Sequence, residues 1–379
     1  MNSNEHSPVN NHVKSLDRAQ TAGAIQTAIA IGEIANSAAG QNTFEEYQKR
    51  KSSNTLLAQQ SDLNLFLEFI NAIYDKTEGS ELEVSFRLYP NQLYTDPAAW
   101  QLITHGLLTL YKNFLENEGY ALSSINRSVS TIRKYASLAT TAGYIQPTTN
   151  LQIQGVKGYL GAEAHHVDSN RDQTRKSSKK SDAVAIPRKV VKTLKSPENY
   201  PENDMGLRDR LILCLLLDHG LRSSEVAGLD INQFDFEAGI MQVYRQKTNT
   251  TDRLYISNDT ADALFDYLKN ESIEAADHKI DQLLWSATKG GRLRPKPMTR
   301  SGVSKVVSKY GKLMAVQFNI PSLSKLSAHD GRHQWATDVL ASGAQIDQLQ
   351  QAGGWKSPSM PLRYVNKRKV ANEGINLDR

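Results

Sequence analysis

Residues 327–340 read SAHDGRHQWATDVL and carry the most informative pattern in the chain. Ser327 is a favourable N-cap, so the pattern predicts that a helix starts there. His329 and Arg332 lie one helical turn apart and project from the same face of that helix. A metal site would need a further ligand on this face, and a neighbouring arginine disfavours a cation. The segment therefore predicts a helix with a polar face that is not a metal site.

Two segments before this helix also carry polar side chains of interest. Residues 220–229, GLRSSEVAGL, place Arg222 at a helix start and Glu225 one turn later, a spacing that a structural salt bridge alone would explain. The alternating stretches QFDF, IMQVYRQK and DRLYIS then predict a small antiparallel sheet. Lys247 ends the second of these stretches, just before the turn TNTT, and by itself is an ordinary turn lysine.

Residues 353–365, GGWKSPSMPLRYV, follow the central helix and contain Trp355 and Tyr364. Tyr364 is the only tyrosine after the HDGR segment. A single tyrosine in a helix near a C-terminus is most often a packing residue, so this segment alone indicates no chemistry.

The whole second unit, residues 187–379, is expected to be mainly helical with one small sheet. Further helix starts are predicted at Asp259, Thr299 and Ser357, and the apolar run LILCLLLD predicts a buried helix. Cys214 lies inside that run and is expected to be a core residue.

The first folded unit is predicted over residues 43–162 and has helical periodicity. Asp96 followed by Pro97 predicts a helix start. A later helix should follow Leu122, with a buried stripe formed by Ile125, Val129, Ile132 and Ala136.

The opposite side of that later helix carries three cations, Arg127, Arg133 and Lys134. Two interpretations stay open: the face is simply solvated, or it lies on nucleic-acid phosphates.

Two segments flank the first unit. Residues 1–42 open polar and become alanine-rich, which predicts an arm that is flexible or partly helical. Residues 163–186 are polar, basic and poor in large apolar side chains, which predicts a linker.

Composition adds weak constraints on function. The chain has 379 residues, a formal net charge of +5 and an isoelectric point near 9.0, a mild basic excess that favours a polyanionic partner. A single cysteine allows no internal disulfide and no cysteine-based metal cage. The first residues lack the features of a signal peptide, and no segment is apolar enough to span a membrane. We therefore expect a cytoplasmic protein with no membrane association.

Taken together, these motifs resemble the tyrosine recombinases, also called phage integrases. The resemblance rests on the order of GLRSSEVAGL, the strand-end lysine, AHDGRH and GGW followed by RYV. In the first unit, SSNTLLAQQSDLNLFLEF and LSSINRSVSTIRKYA resemble the helical core-binding domain of that family. Each motif is weak alone, whereas their order over most of the chain is highly specific.

The resemblance implies a role for each matched residue. Arg222 and Arg332 match the pair that grips the non-bridging oxygens of the scissile phosphate, for which a planar, permanently charged fork is well suited. Lys247 matches the lysine that protonates the departing 5′ hydroxyl. His329 matches a histidine beside the phosphate, and Tyr364 matches the nucleophile.

Two positions need separate comment. Glu225 matches an acidic family position with a supporting role in the arginine network. Trp355 stands where many members have a second histidine, and Gly353 stands where leucine is usual. An indole still offers one N–H donor to a phosphate but accepts no proton. We interpret the tryptophan as tolerated.

The implied fold is a helical core-binding domain joined to a mainly α catalytic domain with a small antiparallel sheet, the two closing on duplex DNA. The implied reaction is transesterification through a 3′ phosphotyrosine and a Holliday junction, with no cofactor and no metal. The implied assembly is a homotetramer on paired recombination sites, in which the tail after Tyr364 is a candidate to dock on a neighbouring protomer. Integration or excision of a mobile element is the expected role.

Two alternatives stay open at this point. A type IB topoisomerase would use similar residues to relax DNA without joining two sites. A catalytically silent DNA-binding relative would retain the fold and lose the chemistry.

Overall fold

The computed structural model describes residues 8–77, 87–169, 183–269, 281–288 and 290–366. The chain divides into two compact units, Met1–Lys179 and Lys180–Arg379. The division falls inside the segment expected to be a linker. No helix in the described ranges is long and apolar enough to cross a membrane.

The described part of the first unit is entirely helical. Its helices are α1 Pro8–Lys49, α2 Ser53–Thr77, α3 Gln92–Thr95, α4 His105–Asn117, α5 Leu122–Thr141, α6 Pro147–Gly155 and α7 Gly161–Ser169, with a 3-10 helix at Pro97–Leu102.

Helix α5 is the centre of the first unit. The predicted stripe of Ile125, Val129, Ile132 and Ala136 is fully buried, which confirms that prediction. The stripe packs in one core with side chains of α2 and α4 because their apolar residues recur at helical spacing.

The segment at Asp96 differs from expectation. Its carboxylate accepts a hydrogen bond from the amide of Ala98, but it starts only the 3-10 helix. Because Ile103 and Thr104 have extended backbone, that helix ends, and α4 starts separately with Thr104 as N-cap.

The expected arm joins the first unit without a break. Helix α1 runs from residue 8 to residue 49, and Phe44 near its end is buried in the core of the first unit. Four isoleucines earlier in the helix are 55% to 70% exposed: Ile25, Ile29, Ile31 and Ile34. Among the side chains of this helix whose burial the structure describes, those near its C-terminal end pack into the core.

The expected linker is narrower than residues 163–186. Residues up to Ser169 belong to α7. Val184 and Ile186 are buried in the core of the second unit, and the amide of Val184 donates a hydrogen bond to Asp330. Residues 170–182 lie outside the described ranges.

The second unit is mainly helical with two small sheets. Its elements are α8 Arg188–Lys195, α9 Asp204–His219, α10 Ser223–Ala227, β1 Phe234–Asp235, β2 Ile240–Arg245, β3 Thr250–Tyr255, α11 Asn258–Leu268, β4 Trp285–Ala287, β5 Leu293–Pro297, α12 Arg300–Gln317, α13 Ala328–Ala341, α14 Ile346–Gly353 and α15 Ser359–Asn366.

The first sheet confirms the three predicted strands. They pair antiparallel in the order β1, β2, β3, with Phe234 opposite Met241 and Arg245 opposite Thr250. The mainly α fold with a small antiparallel sheet is therefore confirmed. The prediction of only one sheet is wrong, because β4 and β5 pair as a second antiparallel hairpin. The two prolines in β5 explain why the sequence did not predict this hairpin, since proline is rare within strands.

Helix α9 forms the centre of the second core. Its residues 211–217 are all buried, Cys214 among them, as the apolar run predicts. Helices α11 and α13 pack against it. The starts expected at Thr299 and Ser327 are confirmed, since both are N-caps of the helices that follow.

Candidate active site

Glu225 organises the first arginine of the site. Arg222 is the N-cap of α10, and its main-chain amide donates a hydrogen bond to Glu225 Oε2 at 2.7 Å, while its guanidinium pairs with Oε1. The carboxylate is buried and thus caps the helix and orients the arginine at once. The interpretation of this pair as a structural salt bridge is confirmed, since Glu225 and Arg222 form one.

Arg332 on α13 contacts the ends of two other helices, α9 and α14, and is only 2% exposed. Its Nη1 donates to the carbonyl of Gly220 at 2.7 Å, and its Nη2 donates to the carbonyl of Gly353. Its guanidinium lies 4.2 Å from the centre of the Trp355 ring, a cation–π contact. The ends of α9 and α14 therefore meet at this side chain.

A cleft of about 270 Å³ lies in front of these arginines. It is lined by Arg222, Ser223, Ser224, Arg300, Ala328, His329 and Arg332. The structure thus brings together three of the residues expected from sequence, which are Arg222, His329 and Arg332. Arg300, the first residue of α12, was not expected, and its sequence neighbourhood gives no signal for it.

The electrostatics of the cleft favour an anion. Burial and then the charge of Arg222 lower the pKa of Arg332 to about 10. Burial acts to raise the pKa of Glu225, but the charge of Arg245 and the hydrogen bond and charge of Arg222 outweigh it and hold that pKa below its ordinary value. Arg332 therefore carries a poorly compensated positive charge that a bound phosphate would stabilise.

Tyr364 on α15 is only 3% exposed. It belongs to a small cluster with Trp335, Ala336 and Leu349. Its ring centre lies 5.7 Å from that of Trp355. Tyr364 is not among the described residues that line the cleft, so the expected site has two parts, the cleft and the tyrosine, which interact through Trp355 and through the electrostatic effect of Tyr364 on Arg332.

His333 connects these two parts and was missed by the sequence analysis. Its Nε2 lies 3.1 Å from Nε2 of His329, and its ring centre lies 4.9 Å from that of Tyr364. A line of side chains therefore runs from the cleft through His329 and His333 to Tyr364. The available signal was the four-residue spacing from His329, which places both histidines on one helix face.

Lys247 lies in the turn between β2 and β3 and is exposed. Among the described residues its side chain makes no hydrogen bond or ion pair, and it does not line the cleft. The structure therefore places it on a neighbouring element without bringing it to the arginines.

Arg245 was also missed. It ends β2, is fully buried, and donates from Nη1 to Glu225 Oε2 at 2.6 Å. Sequence gave no signal, because alternation alone predicts only that the side chain at this strand position faces inward.

The three cations expected to face nucleic acid lie in the first unit, on α5. Arg127 makes two hydrogen bonds to Asp62, at 2.9 and 3.1 Å. Arg133 donates to Gln154 at 3.2 Å. Lys134 lies 5.0 Å from the ring centre of a tyrosine on α1. Each cation thus has a partner within the first unit, and Arg127 has the strongest one.

Known proteins resemble this chain over both units. Residues 185–370 match the phage integrase family. Tyrosine recombinase XerC of Syntrophus aciditrophicus (strain SB) is 25% identical over 326 residues, covering 85% of this chain and 90% of the relative. Tyrosine recombinase XerD of Staphylococcus haemolyticus (strain JCSC1435) is 26% identical over 257 residues, covering 68% and 76%.

Two solved structures share the fold. The Tn1549 transposon integrase, in complex with a circular intermediate DNA, has a TM-score of 0.55 at 14% identity and covers 86% of this chain and 94% of its own. A lambda integrase dimer bound to a COC' core site has a TM-score of 0.52 at 15% identity, covering 89% and 97%. The family match over the second unit and the curated tyrosine recombinases aligned along both units lead to one conclusion: residues 185–370 of this chain belong to the phage integrase family.

Proposed function

We propose that this protein is a site-specific DNA recombinase that cleaves and rejoins strands through a phosphotyrosine at Tyr364. The observation that carries the proposal is the cleft in which Arg222, His329 and Arg332 meet. The two arginines come from helices that are far apart in sequence, and both are held in place by buried partners. Such a preorganised cationic cleft is the arrangement that phosphoryl transfer requires.

The arginines bind the scissile phosphate in this proposal. Their guanidinium groups offer paired donors to the non-bridging oxygens and stabilise charge as it redistributes in the transition state. The poorly compensated charge of Arg332 supports this role, because a buried cation gains most from an anionic partner. Arg300 is placed to contact an adjacent phosphate, since it lines the same cleft.

The reaction exchanges one phosphodiester for another. The Tyr364 oxygen attacks phosphorus, its proton passes to His329 or to His333 beside it, and the bond to the 5′ oxygen breaks. Lys247 supplies the proton for the departing 5′ hydroxyl. Tyr364 is buried beside Trp355 and interacts electrostatically with Arg332, and in this proposal its oxygen reaches the phosphorus when DNA occupies the cleft.

The rejoining step uses the same residues in reverse. A 5′ hydroxyl of a second strand attacks the phosphotyrosine and releases Tyr364. Two such exchanges on paired sites pass through a Holliday junction, which we propose is held by a homotetramer. No nucleotide is consumed, because the energy of the broken bond is kept in the phosphotyrosine.

The first unit, residues 43–162, serves as the core-binding domain in this proposal. Arg127, Arg133 and Lys134 would contact the DNA backbone. Likeness to the Tn1549 and lambda integrases supports integration or excision of a mobile element as the biological role.

The test is a nicked suicide substrate with the unaltered protein and with Tyr364→Phe. The unaltered protein should accumulate as a covalent adduct that survives denaturant and forms in EDTA without nucleotide, and peptide mapping should place it on Tyr364. The phenylalanine variant removes one hydroxyl, so it should bind the site but form no adduct.

Other outcomes separate the alternatives. A silent DNA-binding relative gives no adduct with either protein. A topoisomerase gives an adduct and relaxes supercoils as a monomer without joining two sites. An adduct on another tyrosine, or full activity of the phenylalanine variant, contradicts the proposed nucleophile.

A further inference from the structure

Arg245 is a buried arginine near the cleft whose guanidinium makes three hydrogen bonds within the second unit. It is fully buried at the end of β2. Its Nε donates to Asp252 Oδ2 at 3.0 Å, its Nη1 to Glu225 at 2.6 Å, and its Nη2 to the carbonyl of Ala352 at 2.9 Å. All three nitrogens of the guanidinium are therefore used inside the protein.

The first contact fixes the hairpin that carries Lys247. Asp252 lies on β3, so the bond from Arg245 Nε links the two strands on either side of the turn. The carbonyl of Arg245 also accepts hydrogen bonds from the main-chain amides of Thr248 at 3.0 Å and Asn249 at 2.8 Å. The turn around Lys247 is thus built on the main chain of Arg245 and braced by its side chain.

The second contact links this hairpin to the phosphate-binding arginine. Glu225 Oε2 accepts from the Arg245 guanidinium and from the Arg222 main-chain amide, while Oε1 pairs with the Arg222 guanidinium. A shift of the hairpin would therefore pull on the carboxylate that orients Arg222.

The third contact links the hairpin to the end of α14. Carbonyls at a helix C-terminus have no partner within the helix, and Arg245 supplies one to Ala352. Gly354 follows with φ +59°, and a Cβ there would lie 2.9 Å from Arg245 Nε. The chain is thus packed against the guanidinium just before Trp355.

We propose that Arg245 is a positioning residue that holds the Lys247 turn in register with Arg222 and Trp355. The inference rests on the proposed function, because it assigns Lys247 as the proton donor. Arg245 itself does not reach the phosphate, since its side chain is fully buried and does not line the cleft. Its loss should therefore impair protonation of the leaving group more than binding of DNA.

The experiment compares ordinary DNA with a 5′-bridging phosphorothiolate suicide substrate, whose thiolate leaves without a proton. Arg245→Met should bind the site normally and cleave ordinary DNA about 100-fold more slowly, the lower end of what general acid catalysis supplies. On the phosphorothiolate most of this loss should be recovered, and any remaining deficit should reflect Arg222, which Arg245 reaches through Glu225. Arg245→Lys keeps the charge but loses two of the contacts. Its cleavage rate on ordinary DNA should therefore lie between the rates of Arg245→Met and of the unaltered protein.

Lys247→Ala supplies the reference signature, a slow rate on ordinary DNA that the phosphorothiolate restores. If Arg245 acts through Lys247, the double variant should be no slower than Lys247→Ala alone, because the donor that Arg245 positions is already gone.

Arg208→Met is the matched control for lost stability. Arg208 is a buried arginine of the same unit that donates to Asp209 and to the carbonyl of Trp285. Per folded molecule, this variant should retain the ordinary ratio of rates on the two substrates. If Arg245→Met does not fold, Asp252→Ala removes only the brace across the hairpin and should show the same signature with a smaller loss.

The inference is overturned if the Arg245 and Asp252 variants cleave ordinary DNA at the normal rate. It is also overturned if they are equally slow on both substrates, or if their effects add to that of Lys247→Ala. Failure of the proposed function looks different, because the unaltered protein then forms no adduct on either substrate.

Discussion

The space available for a side chain at residue 353 depends on the side chain at residue 355. A Cβ added to Gly353 would lie 2.0 Å from Cζ3 of Trp355, far inside any real contact distance. The indole ring thus occupies the space that a leucine would need. The glycine at residue 353 and the tryptophan at residue 355 are therefore sterically coupled in this chain.

This coupling predicts the behaviour of a double-mutant cycle. Gly353→Leu alone should destabilise the second unit by about 1–3 kcal/mol through overpacking. Trp355→His alone should cost about 3 kcal/mol because it leaves a cavity against Trp335 and Tyr364. In the double variant the leucine fills that space, so the cost should be at least about 1 kcal/mol smaller than the sum.

Urea unfolding of the four proteins measures this cycle, and adduct formation on the suicide substrate reports whether the site recovers too. Strictly additive free energies would show that the two positions are independent.

At the scale of the element, helix α5 has an apolar face and a cationic face with different roles. Its apolar stripe is buried in the first core, while its cations bond to neighbouring side chains within the first unit. Arg127 is the least available of the three, because it pairs with Asp62, a carboxylate that is only 4% exposed. Arg133 and Lys134 have weaker partners and are freer to contact DNA.

We expect Arg133→Ala with Lys134→Ala to weaken DNA binding equally on specific and random sequences. The slope of log affinity against log salt should fall by about 1.8 if each cation contacts one phosphate. Adding Arg127→Ala should flatten the slope further and also destabilise the first unit, since it leaves Asp62 with Thr131 alone.

Titrations of binding against salt concentration, with thermal unfolding in parallel, test both parts. Arg127→Ala with Asp62→Asn is the control that removes the stranded carboxylate. If the salt slope is unchanged in all variants, these side chains form a solvated face and do not contact phosphates.

At the scale of the whole molecule, two separate hydrophobic cores support two units. Only the second contains the network in which Glu225 joins Arg222 and Arg245. The pKa of Glu225 is lowered in the folded protein, so its stabilising contribution is complete above its unfolded pKa and is lost as pH falls through the folded value. The second unit should therefore lose this contribution in acid.

We expect Glu225→Gln to lower the free energy of unfolding at neutral pH by about 3 kcal/mol, the scale for breaking a buried ion pair. The difference from the unaltered protein should shrink as pH falls below about 4.5, the ordinary value for glutamate, because the unfolded state then takes up a proton, and it should level off once pH is below the lowered pKa of the native carboxyl. Denaturant unfolding from pH 7 to pH 3 checks this. A difference that stays constant with pH would mean that the pKa of Glu225 is the same in the folded and the unfolded protein.

The sequence by itself determined what depends on neighbours along the chain. The buried stripe of α5, the N-caps at Thr299 and Ser327, and the strands around Arg245 follow from periodicity and local hydrogen bonding, which act over a few residues. The ordered motifs added the family and the expected arginines.

Only the tertiary structure decided which side chains meet. Arg332 bonds to Gly220 across 112 residues, and Arg245 bonds to Ala352 across 107. Contacts of that separation depend on how helices and strands pack, and no local pattern encodes them. For this reason the positions of Arg245 and Arg300 could not be predicted from sequence, whereas the four-residue spacing of His333 from His329 was a usable signal.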